Sequence, residues 1–329
     1  MTAYFIFALV ATTLVTAVIL RFLIPVLKSK KMGQKILDIG PRWHKQKEGT
    51  PTMGGISFII AFFAVCILLF VIAGVNGRDF DVPLIVITAL FALFNGLIGI
   101  IDDRTKFSKG ENEGLLSWQK YLLQLAICVV YLFVMGYFGY ITTEMYIPFV
   151  KKTVELGIIY YPIAIILITG VVNSVNLTDG IDGLASSETA VVSAFFALTA
   201  FTVGSFSLSV FAGAAIGCCI GFLCYNFYPA KIFMGDTGSL FLGGLVIGMA
   251  FMANNPLIIV IVGIMYIVES LSDIIQVGYF KLSHGKRVFK MAPIHHHFEK
   301  CGWSEIKIVT VFSAIDLIAG AAAYIFDIM

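Results

Sequence analysis

Gly99-Ile100-Ile101-Asp102-Asp103-Arg104-Thr105-Lys106 ends a long apolar run on two adjacent carboxylates. A charge beside lipid is expensive, so an acidic pair at the edge of an apolar run marks a candidate functional site. Two further stretches repeat the pattern, Asn176-Leu177-Thr178-Asp179-Gly180-Ile181-Asp182-Gly183 and Phe233-Met234-Gly235-Asp236-Thr237-Gly238-Ser239. The fold is decided by whether the runs around them cross a bilayer, and the site by which side the acids reach.

Of 329 residues, 59% are hydrophobic and 13% charged, and mean hydropathy is +0.95. Soluble domains carry about 25% charged residues, so a soluble globular protein is excluded. About 20 apolar residues cross the hydrocarbon core as a helix. That length predicts an all-α integral membrane protein, a single polytopic domain over residues 1–329. Ten transmembrane helices are expected near 4–27, 53–73, 83–101, 119–138, 158–176, 183–204, 209–228, 237–253, 256–280 and 306–326. The first run begins close to Met1 with no basic residue before it, which predicts an uncleaved span rather than a signal peptide.

Orientation follows from the basic loop residues. Lys28, Lys30, Lys31, Lys35, Arg42, Lys45 and Lys47 share a side with Arg104, Lys106, Lys109, Lys120 and Lys231. Lys281, Lys286, Arg287, Lys290, Lys300 and Lys307 join them, making eighteen of the 22 Lys and Arg. The opposite loops hold Arg78, Lys151 and Lys152. Both termini are therefore expected outside and the basic loops in the cytoplasm. On the outer side, the alternation in 139–157 predicts a short external β-hairpin. Gly213, Gly217 and Gly221 present one small face for helix packing. Cys66, Cys128, Cys218, Cys219, Cys224 and Cys301 lack CxxC spacing, and five lie in apolar runs. They read as packing residues, with no disulfide framework and no zinc.

With that topology Asp102, Asp103, Asp179, Asp182 and Asp236 reach one membrane face from three loops, near His295, His296 and His297. One solvated loop carboxylate is commonplace. Five in Gly- and Asn-rich turns at a membrane boundary point to a ligand cradle. Carboxylate oxygens suit Mg²⁺, which is typically held by one or two carboxylates plus substrate phosphates. Lys47, Lys106 and Lys120 supply a rim of positive charge for phosphate oxygens. The absence of GxxxxGK[ST] disfavours ATP-driven transport. Three consecutive histidines on a helix point about 100° apart, so contact with phosphate by one or two is expected rather than shared chelation. Glu269 and Asp273, one turn apart in the ninth run, are equally open to buried hydrogen bonding and to a role in the reaction. Asp316, Asp327 and Arg21 read as structural.

The motifs together resemble the polyprenyl-phosphate N-acetylhexosamine-1-phosphate transferase family. They run from His44-Lys-Gln-Lys47-Glu-Gly-Thr50-Pro-Thr-Met-Gly-Gly55 through Gly99–Lys106 and Asn173–Gly183. They continue with Tyr225-Asn226-Phe-Tyr-Pro-Ala-Lys-Ile-Phe233-Met-Gly-Asp236-Thr-Gly-Ser-Leu240 and end with Ala292-Pro-Ile-His295-His-His-Phe-Glu299. The unbroken histidine run is similar to the muramoyl-pentapeptide branch. The resemblance implies a Mg²⁺-dependent transfer from UDP-MurNAc-pentapeptide to undecaprenyl phosphate, releasing UMP, at the cytoplasmic face of a bacterial inner membrane. It implies Asp236 as principal Mg²⁺ ligand, with Asp102 and Asp103 also at the metal and acting on the lipid phosphate. Lys106 and His295 would contact the diphosphate, with His296 and His297 beside them. Asn176, Asp179, Asp182 and Phe233 resemble uridine-recognition residues, with Lys47 and Thr50 nearby and Asn226 and Lys120 completing the lining. Direct displacement and a phosphorylated aspartate both remain open.

The partners expected are those two substrates, membrane lipid and at most a second copy of the chain in a homodimer; nucleic acid is not among them. A sister transferase using UDP-GlcNAc is the nearest alternative. An ion-coupled transporter is the alternative of another class, but transporters place such acids near the bilayer midplane, whereas these crowd one boundary.

Overall fold

The computed structural model describes residues 1–30, 33, 47–77, 80–109 and 114–329. Lys31, Lys35, Arg42, Lys45, Arg78 and the His44–Gln46 end of the first motif lie outside the described residues, and of Lys109 only the backbone is described. The helices are α1 (Thr2–Ser29), α2 (Gly55–Val75), α3 (Val82–Lys109), α4 (Ser117–Tyr137), α5 (Tyr160–Thr178) and α6 (Leu184–Val203). They continue as α7 (Phe206–Asn226), α8 (Gly235–Met252), α9 (Ile259–Val262), α10 (Ile264–Leu282), α11 (Ile294–Lys300) and α12 (Glu305–Ala323). Among the described residues nine helices are long and apolar enough to cross a membrane, or ten if one bent pair counts as a single span. The chain is a multi-pass membrane protein.

Two of the expected spans need correction. The ninth run, 256–280, is not one helix: Pro256–Val262 and Ile264–Leu282 meet at 80°. The break frees N–H groups at the start of α10, and a buried free N–H is costly. Asp316 Oδ1 accepts the Met265 N–H at 3.0 Å, which gives that acid a structural reason. The third run does not stop at 101, because α3 continues to Lys109. Asp102, Asp103 and Lys106 therefore stand on a helix rather than in a loop.

The expected hairpin forms as β1 (Glu144–Ile147) against β2 (Lys152–Glu155), antiparallel with Glu144 opposite Glu155. Asp327 docks it, accepting the Tyr146 hydroxyl at 3.1 Å and the Phe149 N–H at 2.8 Å.

α8 forms the centre, buried from Thr237 to Met252, with α2, α3 and α5 packed around it. Small residues let the neighbours close in. A Cβ on Gly243 would lie 2.8 Å from Val172 Cα on α5, and one on Gly244 2.7 Å from Ala92 Cα on α3. The α3–α8 seam is tightest at its end, where a Cβ on Gly99 would fall 2.1 Å from the Asp236 carbonyl oxygen. The Gly213, Gly217 and Gly221 face packs on α1, against Phe5, Leu9 and Thr13. The backbone contact between α3 and α8 brings the first and third acidic motifs together.

Candidate active site

Asp102 and Lys106 are one turn apart on α3 and pair at 2.7 Å. The Leu115 N–H, from the segment entering α4, donates to Asp102 Oδ1 at 2.8 Å. Asp236 sits in the first turn of α8, where the helix dipole favours a negative charge. Its Oδ2 accepts Lys120 Nζ at 2.7 Å and Lys106 Nζ at 3.0 Å, and its Oδ1 accepts Asn176 Nδ2 at 3.0 Å. Asn176 Nδ2 also donates to Ser239 Oγ at 2.7 Å. Residues from α3, α4, α5 and α8 thus converge on one carboxylate.

Asp103 has a different environment. Asp236 N–H donates to its Oδ1 at 3.2 Å, while Thr237 N–H and Oγ1 donate to its Oδ2 at 3.0 and 2.7 Å. It caps α8 while remaining in the acidic cluster. One oxygen from each of Asp102, Asp103 and Asp236 lies within 4.8 Å of the others. An all-oxygen set with acids of both helices fits a hard divalent cation, and the adjoining lysines fit phosphate oxygens.

A second group lies around Lys47. Its Nζ donates to Asp182 Oδ1 at 2.7 Å and to Glu305 Oε2 at 2.6 Å. Asp182 Oδ2 accepts the Ala230 N–H at 2.8 Å, so this acid joins the turn before α6 to the loop before α8. Asn226 is buried behind it, its Oδ1 accepting the Gly183 N–H at 3.1 Å and its Nδ2 donating to the Ile232 carbonyl at 2.9 Å. Phe233 pairs through its backbone with Pro51 and Gly54, at 2.8 and 2.9 Å, which sets it beside Thr50. Asp179 is half-buried between the two groups. Burial pushes its carboxyl well above the ordinary aspartate range, and the negative charges of Asp236, Asp103 and Asp182 push it further.

The three histidines of α11 have three environments. His295 is fully buried, with Nδ1 2.9 Å from Glu269 Oε2. A carboxylate there holds the ring with Nε2 turned to the Asp179–Gly180 turn, so close that a Cβ on Gly180 would lie 2.1 Å from it. His296 Nδ1 pairs with Glu299 Oε2 at 2.6 Å. His297 Nδ1 accepts the Lys290 N–H at 3.1 Å, which makes it a brace for the loop before α11.

Sequence reasoning passed over Glu305, Thr52 and Ser239. Thr52 Oγ1 and Asp103 Oδ2 both crowd Gly235. Glu305 follows Ser304 at a helix start, where an acid needs no explanation beyond the helix dipole, so no signal separated it. Glu269 was visible in the sequence, and in the fold its Oε2 pairs with His295 Nδ1.

A multi-span membrane protein with lysines and carboxylates gathered at one end of its central helices has the form of a membrane transferase, and residues 84–254 match the glycosyl transferase family 4 model. The chain is 49% identical over 297 residues to the phospho-N-acetylmuramoyl-pentapeptide-transferase of Clostridium botulinum (strain Eklund 17B / Type B), covering 90% of this chain and 88% of that one. It is 47% identical over 306 residues to that of Clostridium acetobutylicum, covering 92% of each, and 46% identical over 316 residues to that of Clostridium perfringens (strain SM101 / Type A), covering 94% and 93%. The chain belongs to the phospho-N-acetylmuramoyl-pentapeptide-transferase family, within glycosyl transferase family 4.

Proposed function

We propose that this enzyme transfers phospho-MurNAc-pentapeptide from UDP-MurNAc-pentapeptide to undecaprenyl phosphate, at the cytoplasmic face of a bacterial inner membrane. An oxygen of the lipid phosphate attacks the sugar-bearing phosphorus of the donor. The bond from that phosphorus to the bridging oxygen breaks, and UMP leaves with that oxygen. Phosphoryl transfer of this kind depends chiefly on positioning and charge neutralisation. The observation that carries the reading is the junction of α3 and α8, where Asp102 and Asp236 share Lys106 at 2.7 and 3.0 Å.

Asp102 takes or orients the proton of the lipid phosphate. Lys106 and Lys120 neutralise the diphosphate. Asp236 and Asp102 would hold Mg²⁺, with Asp103 behind them, and the bound ion supplies charge stabilisation of the transferring phosphoryl group. Lys47, Asp182, Asp179 and Phe233 form the end that reads uridine. His295, oriented by Glu269, backs the Asp179–Gly180 turn with its Nε2 and so supports the donor end from beneath. Both substrates fit a site on helix ends, since one is anchored in the leaflet and the other is soluble.

The test is UMP release by the purified protein in detergent. Release from UDP-MurNAc-pentapeptide in the presence of undecaprenyl phosphate and Mg²⁺, with none from UDP-GlcNAc, is the expected result. The opposite donor preference would move the chain to the sister reaction. No release from either would remove the transferase reading.

A further inference from the structure

Glu305 has no part in the reaction as proposed, yet it is bound to two segments that do. It opens α12 and is 8% exposed. Its Oε2 accepts Lys47 Nζ at 2.6 Å and the Asp182 N–H at 2.9 Å. Helix capping does not account for it, because Ser304 Oγ already accepts the Lys307 N–H at 3.2 Å. Charge balance does not account for it either. Asp182 alone, 2.7 Å from Lys47 Nζ, neutralises the lysine, and a second carboxylate leaves the trio net negative. What Glu305 adds is geometry. With one oxygen on the ammonium and on the Asp182 backbone, Lys47 is fixed relative to the turn carrying Asp179 and Asp182. Without it, the lysine is free to swing about a single carboxylate oxygen.

We propose that Glu305 is a positioning residue for the nucleoside diphosphate donor, holding Lys47 and the Asp182 backbone in one fixed relation at the recognition end of the cleft. This rests on the donor reading given above. It predicts an effect on donor binding that passes through Lys47 and leaves the lipid phosphate untouched.

The experiment compares the full-length wild type with E305Q, E305A, K47M and the K47M/E305A double variant. It measures UMP release against donor and acceptor concentration, and equilibrium UMP binding. Loss of a binding contact raises KM without lowering kcat, so E305A is expected to raise donor KM and UMP Kd about tenfold and E305Q about threefold. Saturated kcat and acceptor KM should stay within about twofold of wild type. Residues acting as a unit are non-additive, so E305A should change UMP affinity less than about twofold in the K47M background. A residue that merely stabilised the fold would instead lower Tm and the active fraction, with donor KM unchanged. Unchanged donor KM in both single variants, a kcat loss at constant KM, or full additivity with K47M overturns the proposal. If E305A does not accumulate folded, E305Q decides by the same criteria. A wild type that neither binds UMP nor releases it overturns the donor reading and this proposal together, whereas an active wild type with unaltered variants overturns this proposal alone.

Discussion

Asp103 on α3 accepts the backbone N–H of Asp236 at 3.2 Å, in the first turn of α8. With the Thr237 N–H and hydroxyl on its other oxygen, it acts as the cap that an N-terminal turn requires, supplied from another helix. Its influence on the chemistry therefore passes through Asp236. The adjacent acids of one dipeptide have separate duties, Asp102 at the lysines and Asp103 at the helix end.

Asp236→Asn and Asp103→Asn should separate those duties. The first removes a charge and a ligand from the proposed Mg²⁺ site, so most activity should go and the remainder should depend weakly on Mg²⁺. The second loses charge-assisted hydrogen bonds worth about 2 kcal/mol, so Tm should fall while residual activity keeps a Mg²⁺ requirement close to wild type. Mg²⁺ titration of both variants checks this. A normal turnover for Asp236→Asn at normal Mg²⁺ would refute its assignment.

Asp102→Asn should mainly lower kcat, with UMP binding nearly intact, since Asp102 sits with Lys106 at the α3–α8 junction. Asp182→Asn should mainly weaken UMP and donor binding, because its two oxygens hold Lys47 and the Ala230 N–H. UMP binding to each variant decides, and the reverse pattern would exchange the two roles.

Gly99→Ala places a methyl carbon 2.1 Å from the Asp236 carbonyl oxygen, where only backbone movement relieves the clash. Overpacking of this kind costs about 1–3 kcal/mol. Tm in detergent should fall, and activity should fall further than stability alone explains, because α8 carries Asp236. Gly170→Ala is the control, since nothing outside its own helix lies within 4 Å of a Cβ there; it should lower neither, alanine being the better helix former.

Asp179 gives a pH signature. Its carboxyl titrates well above the ordinary range in the fold, against about 3.9 unfolded. Between those values the folded state holds more protons, so stability falls as pH rises through the window and stays lower above it. Asp179→Asn removes that slope. Tm measured from about pH 4 upward, with chelator present, should decline more in wild type than in the variant. Parallel curves would count against the raised carboxyl.

Much of this was legible in the order of residues. Apolar length located the spans, and the basic loops grouped the acidic motifs before any contact was known. The three histidines were expected not to act alike, from the turn angle of a helix alone, and His295, His296 and His297 indeed have different partners. Two kinds of feature were not legible. The break at Gly263 lies in an unbroken apolar run, so hydropathy could not report it, and Asp316 acquires its purpose only once the break exists. Glu305 and Thr52 depend on contacts with residues distant in sequence, which local pattern does not encode. Asp103 was legible as important but not as a cap, because its partners lie 133 and 134 residues further along.

The glycine seam between α3 and α8 also bears on how the protein tolerates its surroundings. Bilayers differ in thickness, and single helices answer by tilting. A site whose acids stood on independently tilting helices would change its spacing with every change of lipid. Here Gly99 meets the Asp236 backbone, Gly244 meets the Ala92 backbone and Gly248 meets the Thr88 side chain along one close seam, so the two helices lean as one body. The distance from Asp102 to Asp236 is thereby insulated from membrane mechanics, and the enzyme should keep its turnover in lipids of different chain length while the helices at its rim adjust.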